Sequence, residues 1–373
     1  MITDVGLYLH IPFCKKKCLY CDFCSVGGAR EELVDSYIDK LISEIKSYKA
    51  EKRIKASTVY FGGGTPSYLS PKQMEKIMLS LGDTFDISEC REISFEANPG
   101  TVSGEKLSAF RSLGFNRISI GLQSVHEKEM QALGRIHNNS DFLFTYKEAR
   151  KVGFDNVSFD LMYGIPYQTE ESFAQTLSFV TALSPEHISC YGLIVEEGTP
   201  FYEKRASLPL PSPDEECNMY EYATKFLSSL GYGHYEISNY AKTGFECQHN
   251  LLYWRDMEYI GLGAAAYSYY KNERFGNVSN FEEYISSHEF KKEYREKISK
   301  EAEKYEYAML CLRLREGLPL ALYRQRFGED FICGREEFIA RLVGEGLASL
   351  NQDRLSLTDK GMYVSNTILA ELL

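Results

Sequence analysis

Short apolar runs alternate with amphipathic stretches over the first half of the chain. Six of these runs are rich in β-branched and aromatic residues and are bounded by turn residues, which predicts buried strands. The runs are residues 6–13, 57–64, 92–99, 117–124, 156–166 and 187–195. Strands that alternate with helices in this way predict a parallel sheet with the helices outside it.

The stretches between the runs have helical periodicity. Apolar residues recur on one helical face over residues 31–49. Ser70 and Pro71 are typical of a helix start, because serine caps the first turn and proline is tolerated there. We therefore predict an α/β fold in the form of a partial (β/α)6 barrel that is open on one side. An open doubly wound sheet would show the same periodicity and stays an alternative.

The regular alternation ends after Val195. A proline-rich connection over residues 208–213 leads into a predicted helix, 214–230, and a strand near 233–239, whereas residues 271–300 are polar and predict a linker with one helix. Helices over 301–315, 319–327 and 335–345 and a hairpin-like piece over 347–357 are typical of a winged-helix module. We predict three parts: a partial barrel over residues 1–200, a barrel extension over 201–290 and a small C-terminal winged-helix-like domain over 291–373.

The composition narrows the class of protein. The 373 residues carry a formal charge of −11, so no nucleic-acid partner is expected, because general nucleic-acid binding needs a basic surface. Residues 1–4 lack the features of a secretory signal, and no run approaches the roughly 20 apolar residues of a membrane span. Ten cysteines in a chain without a signal indicate a reducing compartment, and we expect a cytoplasmic protein.

Three cysteines follow the first predicted strand. Cys14, Cys18 and Cys21 have C-x3-C-x2-C spacing. Thiolates hold iron–sulfur clusters, and a full set has four, so three predict a four-iron cluster with one iron open to another ligand. Tyr20 would shield this cluster from water. The alternative is a structural zinc site, which needs four ligands, usually in two pairs, and the other cysteines form no second pair.

Glycine and polar residues mark the ends of later predicted strands. Residues 62–66 read Gly-Gly-Gly-Thr-Pro, and glycines at a strand end let a ligand approach the backbone. Glu96, Gln123 and Asp160 interrupt apolar strands near the end at which barrel active sites lie. Each could be a core polar group with a partner. Their shared placement favours a ligand site.

The cysteine trio and the glycine segment together resemble the radical S-adenosylmethionine (SAM) superfamily. This resemblance implies a barrel of the radical SAM type and a [4Fe-4S] cluster whose open iron is chelated by SAM. It also implies that an electron from the cluster cleaves SAM to a 5′-deoxyadenosyl radical. Within the superfamily the chain resembles the branch that contains oxygen-independent coproporphyrinogen III oxidase. The SAM contacts of that branch fall on Tyr8, Gly63, Gly64, Thr65, Glu96, Gln123, Arg135 and Asp160.

Two kinds of protein in that branch are separated by short motifs. The oxidase has an extra N-terminal segment and a fourth cysteine two residues after the third, where this chain has Phe23. Its haem chaperone relatives, the HemW type, continue C-D-F after the cluster motif and carry H-N-x-x-Y-W. This chain reads Cys-Asp-Phe at 21–23 and His-Asn-Leu-Leu-Tyr-Trp at 249–254. It departs from the chaperones at Cys24, usually asparagine, and at Tyr267, commonly histidine.

The second motif supplies candidate haem residues. His249, Tyr253 and Trp254 could bind haem, since imidazole ligates iron and aromatic faces cover the macrocycle. Alternatively His249 caps a loop and Trp254 fills the core, and Cys247 is a second possible iron ligand.

The resemblance implies a haem chaperone that binds haem and transfers it to an acceptor protein. The alternative is a radical SAM oxidase that converts coproporphyrinogen III to protoporphyrinogen IX, in which case the ligand is a porphyrinogen. A reducing partner such as flavodoxin or ferredoxin is expected. The basic run at residues 15–17 is either an ordinary solvated loop or a docking point for such an acidic donor. Membrane contact is expected only through the acceptor, and no catalytic residue is assigned.

Overall fold

The computed structural model describes residues 5–50 and 53–372, so residues 1–4, where no secretory signal is expected, lie outside it. Twelve strands form its main sheet: β1 (Val5–Ile11), β2 (Ala56–Gly63), β3 (Glu92–Ala97), β4 (Arg117–Gln123), β5 (Asn156–Tyr163), β6 (His187–Gly192), β7 (Gly233–Glu236), β8 (Asn239–Ala241), β9 (Tyr259–Leu262), β10 (Tyr267–Tyr270), β11 (Glu273–Asn277) and β12 (Lys292–Lys297). Across the sheet their order is β12-β11-β10-β9-β1-β2-β3-β4-β5-β6-β8-β7.

Helices cover this sheet and build the C-terminal part. They are α1 (Glu31–Ser47), α2 (Pro71–Thr84), α3 (Gly104–Ser112), α4 (Glu127–Ala132), α5 (Asn139–Lys151), α6 (Glu170–Ala182), α7 (Pro200–Lys204), α8 (Pro213–Ser229), α9 (Gln248–Trp254), α10 (Phe281–Ser286), α11 (Lys300–Leu312), α12 (Leu320–Phe327), α13 (Glu336–Gly344), α14 (Asp359–Tyr363) and α15 (Ser365–Leu372). None of the helices in the described ranges is long and apolar enough to cross a membrane. The capping box at Ser70 confirms the expected start of α2.

The first six strands form the parallel barrel wall. Every neighbouring pair from β1 to β6 is parallel. Each strand begins within one residue of its expected start and ends one to three residues early. Glycines explain the early ends in part, since β5 stops where Gly164 takes a positive φ of 73°. The predicted α/β fold with a partial barrel is confirmed.

Alternation along the strands makes the barrel polar inside and apolar outside. Side chains such as Leu7, Phe61 and Ile118 are fully buried in the hydrophobic core. Successive strand residues point to opposite faces, so their neighbours point into the barrel. These inward residues are mainly polar: Thr58, Tyr60, Ser94, Glu96, Arg117, Ser119, Ser158, Asp160 and Ser189. A barrel interior is usually filled with branched apolar residues. This one is built to surround polar groups.

Further strands extend the sheet at both edges. β9 joins β1 in parallel, and β10, β11 and β12 continue it in antiparallel order. The expected linker over residues 271–300 is therefore wrong, although its single helix is confirmed as α10. The sequence pattern does not predict the strand β12, because five of its six side chains are exposed and most are charged. Its backbone pairing with β11, rather than an apolar face, holds it in the sheet.

The C-terminal part has a core of its own. Strands Leu318–Pro319, Arg354–Leu357 and Ala348–Leu350 form a three-stranded sheet, in that order, next to α11, α12 and α13. A separate hydrophobic cluster fills this part, and Leu312 lies within it. The expected helices and hairpin are present, and α14 and α15 follow them. The boundaries of the three-part division stay a prediction.

Candidate functional site

The cysteine loop begins where β1 ends. Cys14 lies in a two-residue strand, Phe13–Cys14, that pairs in parallel with Val26–Gly27 and folds the loop back on itself. Cys18 and Cys21 lie within the loop and are partly buried. Because β1 to β6 are parallel, the three thiols lie at the carboxyl ends of the barrel strands.

Nearby groups act on the thiols. Burial raises the pKa of the Cys14 thiol, and it raises that of Cys21 to about 11. The Thr65 hydroxyl donates to Sγ of Cys14 (3.4 Å), and Nη1 of Arg135 donates to Sγ of Cys18 (3.7 Å). Because thiolates bind iron, metal binding must release the protons of these thiols. Donors to the sulfurs would then help to set the properties of a bound cluster.

The thiols do not surround a single point. In residues 5–50 and 53–372, no three His, Cys, Asp or Glu side chains could hold one metal ion. A zinc site would need every sulfur about 2.3 Å from the same metal, so the loop would have to close further. The cysteines of a four-iron cluster bind separate irons and stay apart.

The glycine segment follows β2 and packs against β1. The amide of Gly64 donates to the carbonyl of Ile11 (2.9 Å). A Cβ on Gly64 would lie 2.9 Å from that oxygen, and a Cβ on Gly63 would lie 2.4 Å from the ring of His10. Gly63 also has a positive φ of 107°. Glycine is required here because the two backbones approach each other closely.

One cavity joins the cysteine loop to the barrel. It has a volume of about 490 Å³, within the range of sites for small molecules. Its walls include ten of the predicted cluster and SAM residues: Cys14, Cys18, Cys21, Gly63, Gly64, Thr65, Glu96, Gln123, Arg135 and Asp160. The fold therefore brings together residues that are up to 146 positions apart in the chain (14 to 160).

Two carboxylates lie inside this cavity. Glu96 accepts a hydrogen bond from the Tyr60 hydroxyl (2.9 Å), and Asp160 accepts one from the Ser119 hydroxyl (2.7 Å). Burial, and then the nearby charge of Asp160, raise the pKa of Glu96 to about 7. Glu96 is therefore partly protonated near neutral pH, and a cation beside it would favour its ionised form.

Gln123 and Arg135 also line the cavity. Gln123 has a positive φ of 71° next to a register shift between β4 and β5, a strained conformation for a residue other than glycine. Its side chain accepts from the Tyr191 hydroxyl (3.1 Å). Arg135 donates to Oδ1 of Asn98 (2.7 Å), while its buried Nε has no partner in the described part of the chain. An uncommitted buried N–H suits an anionic ligand group.

Tyr8 is not part of the cavity wall. It stacks with Tyr60, which does line the cavity, with ring centroids 6.3 Å apart. The Tyr8 hydroxyl lies 3.1 Å from Nδ1 of His10. In this structure Tyr8 supports the wall from behind, and its direct contact with SAM stays a prediction.

The candidate haem residues lie outside the cavity wall. His249 is buried, its Nδ1 lies 2.7 Å from the Thr58 hydroxyl, and its Nε2 lies 2.8 Å from the Tyr253 hydroxyl. Trp254 is half-buried, with the guanidinium of Arg313 over its ring at 5.9 Å. Both imidazole nitrogens thus have partners within the protein. His249 could reach a haem iron only after one of these contacts breaks.

The segment around His249 contributes a different residue to the cavity. Asn250 lines the cavity, whereas its neighbour His249 faces the protein. Cys247, the second possible iron ligand, is fully buried, and its thiol donates to Glu92 (3.5 Å). Sequence reasoning missed Asn250, and it also missed Arg117 and Ser119. Strand alternation could have found the last two, because they share a face of β4 with Gln123.

We expect His249→Ala to lower the free energy of unfolding by about 2–4 kcal/mol, because it leaves a buried cavity and an unpaired Thr58 hydroxyl. Urea denaturation measures this. Tyr253→Phe removes only the hydroxyl and should cost about 1 kcal/mol. Equal stability of His249→Ala and the unmodified protein would contradict the packing described here.

Comparison with known proteins identifies the family of this chain. Residues 8–180 match the Radical SAM superfamily, and residues 298–364 match the HemN C-terminal domain. The heme chaperone HemW of Lactococcus lactis is 34% identical over 369 residues, which cover 98% of this chain and 96% of that protein. The heme chaperone HemW of Bacillus subtilis is 33% identical over 373 residues, which cover 98% of both.

A solved structure shares the whole architecture. The coproporphyrinogen III oxidase (HemN) from Escherichia coli aligns with a TM-score of 0.87 over 99% of this chain and 90% of that one. At 24% identity this likeness shows the fold. The identities to HemW proteins extend over nearly the full chain. The chain therefore belongs to the heme chaperone HemW family of the radical SAM superfamily.

Proposed function

We propose that Cys14, Cys18 and Cys21 hold the [4Fe-4S] cluster of this radical SAM protein and that SAM occupies the cavity beneath it. When bound, the cluster supplies the electron for SAM cleavage. Support comes from the three thiols at the carboxyl edge of the barrel and from the adjacent cavity of about 490 Å³. The donors to Cys14 and Cys18 would stabilise the thiolates.

The cavity wall offers a partner for each charged part of SAM. Gly63 and Gly64 leave room for the amino acid end to approach the backbone. Arg135, whose Nε has no partner among the described residues, would pair with the SAM carboxylate. Glu96 and Asp160 would accept hydrogen bonds from SAM and offset its positive charge. Thr65 and Gln123 line the same wall. Tyr8 is the last of the proposed SAM-binding residues, and its ring stacks on Tyr60.

The raised pKa of Glu96 gives SAM binding a pH dependence. A cationic ligand prefers ionised Glu96, so SAM affinity should rise with pH up to about 7 and then level off. Well below that pH the slope approaches tenfold per unit. Isothermal titration of SAM into the anaerobic protein between pH 5.5 and 8.5 measures this pH dependence. These limits span about 1.5 pH units on either side of the raised pKa of Glu96.

Glu96→Gln is the matched variant for this titration, since it keeps the shape of the side chain and cannot ionise. Its SAM affinity should be lower at pH 8 and nearly independent of pH, because the carboxyl whose pKa is about 7 is gone. A slope that persists in Glu96→Gln would assign the titration to another group.

We further propose that the chain binds haem and transfers it to an acceptor protein. The observation that carries this proposal is its match to proteins named heme chaperone HemW over 98% of its length. Haem titration under anaerobic conditions should give a saturable Soret band. Mixing the loaded protein with an apo-haemoprotein should then move the band to the acceptor.

The oxidase alternative is tested in the same preparation. Coproporphyrinogen III is added with SAM and a reductant, and vinyl products are sought by chromatography. Product formation at a turnover rate would reject the chaperone proposal. Failure to retain haem or to release it would do so as well.

For the haem ligand, the candidates His249, Tyr253 and Trp254 give a sharp test. If the imidazole of His249 ligates haem, Tyr253→Phe should tighten haem binding, because it frees Nε2 from its 2.8 Å contact. His249→Ala should remove the Soret shift of the ligated haem. Trp254→Phe, on the outer part of α9, should weaken binding only modestly if the indole covers the macrocycle.

The proposal includes a cytoplasmic location and a reducing partner such as flavodoxin or ferredoxin. Lys16 and Lys17 line the cavity mouth next to the cysteine loop, and Lys15 is exposed beside them. An acidic donor that docks there would lie close to the cluster. Charge reversal at Lys16 should therefore slow cluster reduction most at low ionic strength.

A further inference from the structure

Arg117 is a buried cation that forms no salt bridge in the described part of the chain. It is 2% exposed, at the start of β4, and it lines the cavity. Its Nε has no hydrogen-bond partner, and the guanidinium forms no ion pair with any residue in the described ranges. Burial of an unpaired charge is costly, so buried charges are normally paired or hydrogen-bonded. An anion bound beside Arg117 would offset this cost.

Glu92 lies close enough to act electrostatically on Arg117, but its oxygens accept hydrogen bonds from other groups. Glu92 accepts hydrogen bonds from the backbone amides of Gln248 (3.0 Å) and His249 (3.1 Å), at the start of α9. It also accepts from the thiol of Cys247 (3.5 Å). Glu92 thus anchors α9 to the barrel and leaves the guanidinium of Arg117 open to the cavity.

Arg117 and the proposed SAM residue Gln123 lie at opposite ends of β4, whereas Glu96 is nearer, because Glu96 pairs with Ser119, two residues from Arg117. Arg117 shares one face of β4 with Ser119, Gly121 and Gln123, all of which line the cavity. Six residue steps at about 3.3 Å each put Arg117 roughly 20 Å from Gln123 along the strand. The cavity therefore runs from the cysteine loop past Glu96 to the start of β4, and the part around Arg117 is its deep end.

Further polar groups line the cavity at the level of Asp160, which pairs with Ser189. Asn239 is 8% exposed and lines the cavity, and its Oδ1 has no partner in the described part of the chain. Ser189, which pairs with Asn239 across β6 and β8, lines it as well. Unpartnered buried polar atoms of this kind indicate a bound polar molecule or water.

We propose that this deep end binds the carboxylate of a small organic acid, with Arg117 as its cationic partner. The planar guanidinium matches the two oxygens of a carboxylate. Glu96 and Asp160 line the same cavity, and their charges favour a monoanion over a multiply charged phosphate. This site goes beyond the proposed haem transfer and does not depend on it.

The test is isothermal titration of sodium propionate into the anaerobic, cluster-loaded chain. We expect saturable binding of one propionate, which inorganic phosphate at the same concentration does not displace. Arg117→Gln should weaken binding by about 10–150-fold, the range of a hydrogen bond to a charged group. Arg150→Gln removes a guanidinium that pairs with Glu186 (2.7 Å) outside the cavity, and it should leave the affinity unchanged.

Arg117→Lys is a second variant, which tests the proposal if Arg117→Gln does not fold. It keeps the charge but loses the planar fork, and we expect an intermediate affinity. Absence of saturable binding to the unmodified protein would show that water alone fills the deep end and would overturn the proposal. Unchanged affinity in Arg117→Gln, or displacement by phosphate, would overturn it too. Haem transfer, measured separately, is not affected by any of these outcomes.

Discussion

Replacing any one of Cys14, Cys18 or Cys21 with alanine is expected to remove the iron–sulfur cluster. A three-cysteine site has no spare thiolate, so the loss of one leaves two irons without a protein ligand. Iron content should fall from about four atoms per chain to near zero, and SAM affinity should fall at least 100-fold because SAM binds the open iron in the proposed site. Iron analysis and visible absorption after anaerobic reconstitution measure the first effect, and titration of SAM measures the second.

Cys24→Ala is the matched control. Cys24 lies three residues after Cys21, and its thiol donates to the backbone carbonyl of Ser279 (3.2 Å). We expect this variant to keep a full cluster and to bind SAM normally. If Cys24→Ala lost its iron while Cys18→Ala kept it, the ligand set proposed for this loop would be wrong.

Gly63→Ala is expected to have the second largest effect. Its Cβ would lie 2.4 Å from the His10 ring, which is itself fixed by a 2.7 Å contact with the carbonyl of Cys24. The positive φ of 107° adds backbone strain. Strain and overpacking together should cost at least about 2 kcal/mol of stability. Because the displaced segment forms the cavity wall, SAM affinity should fall at least tenfold.

Gly82→Ala provides the comparison for this variant. Gly82 lies in α2, and the nearest atom to an added Cβ is 4.0 Å away. Alanine in a helix is more stable than glycine by up to about 1 kcal/mol, so Gly82→Ala should be neutral or stabilising and should bind SAM normally. Thermal unfolding and SAM titration of both variants measure the contrast. Equal SAM affinity in Gly63→Ala and Gly82→Ala would contradict the role given to the glycine segment.

The barrel wall could be predicted because its strands are apolar on the outer face and are separated by amphipathic helices such as α1. Short runs of this kind have few other stable arrangements than a parallel sheet with helices outside. The cysteine spacing was equally informative, since three thiols within eight residues (14 to 21) are rare without a metal centre. By contrast, β12 carries no apolar face, and only its pairing with β11 makes it a strand.

Taken alone, the sequence determined the local features of this protein: the strand and helix pattern, the cysteine trio and the glycine segment, because each depends on neighbouring residues. Tertiary structure alone decided which distant side chains meet. It turned Asn250 toward the cavity and His249 away from it, and it left the buried Nε of Arg117 without a partner in the described part of the chain. Such facts depend on the packing of strands far apart in the chain, and no local pattern of residues records that packing.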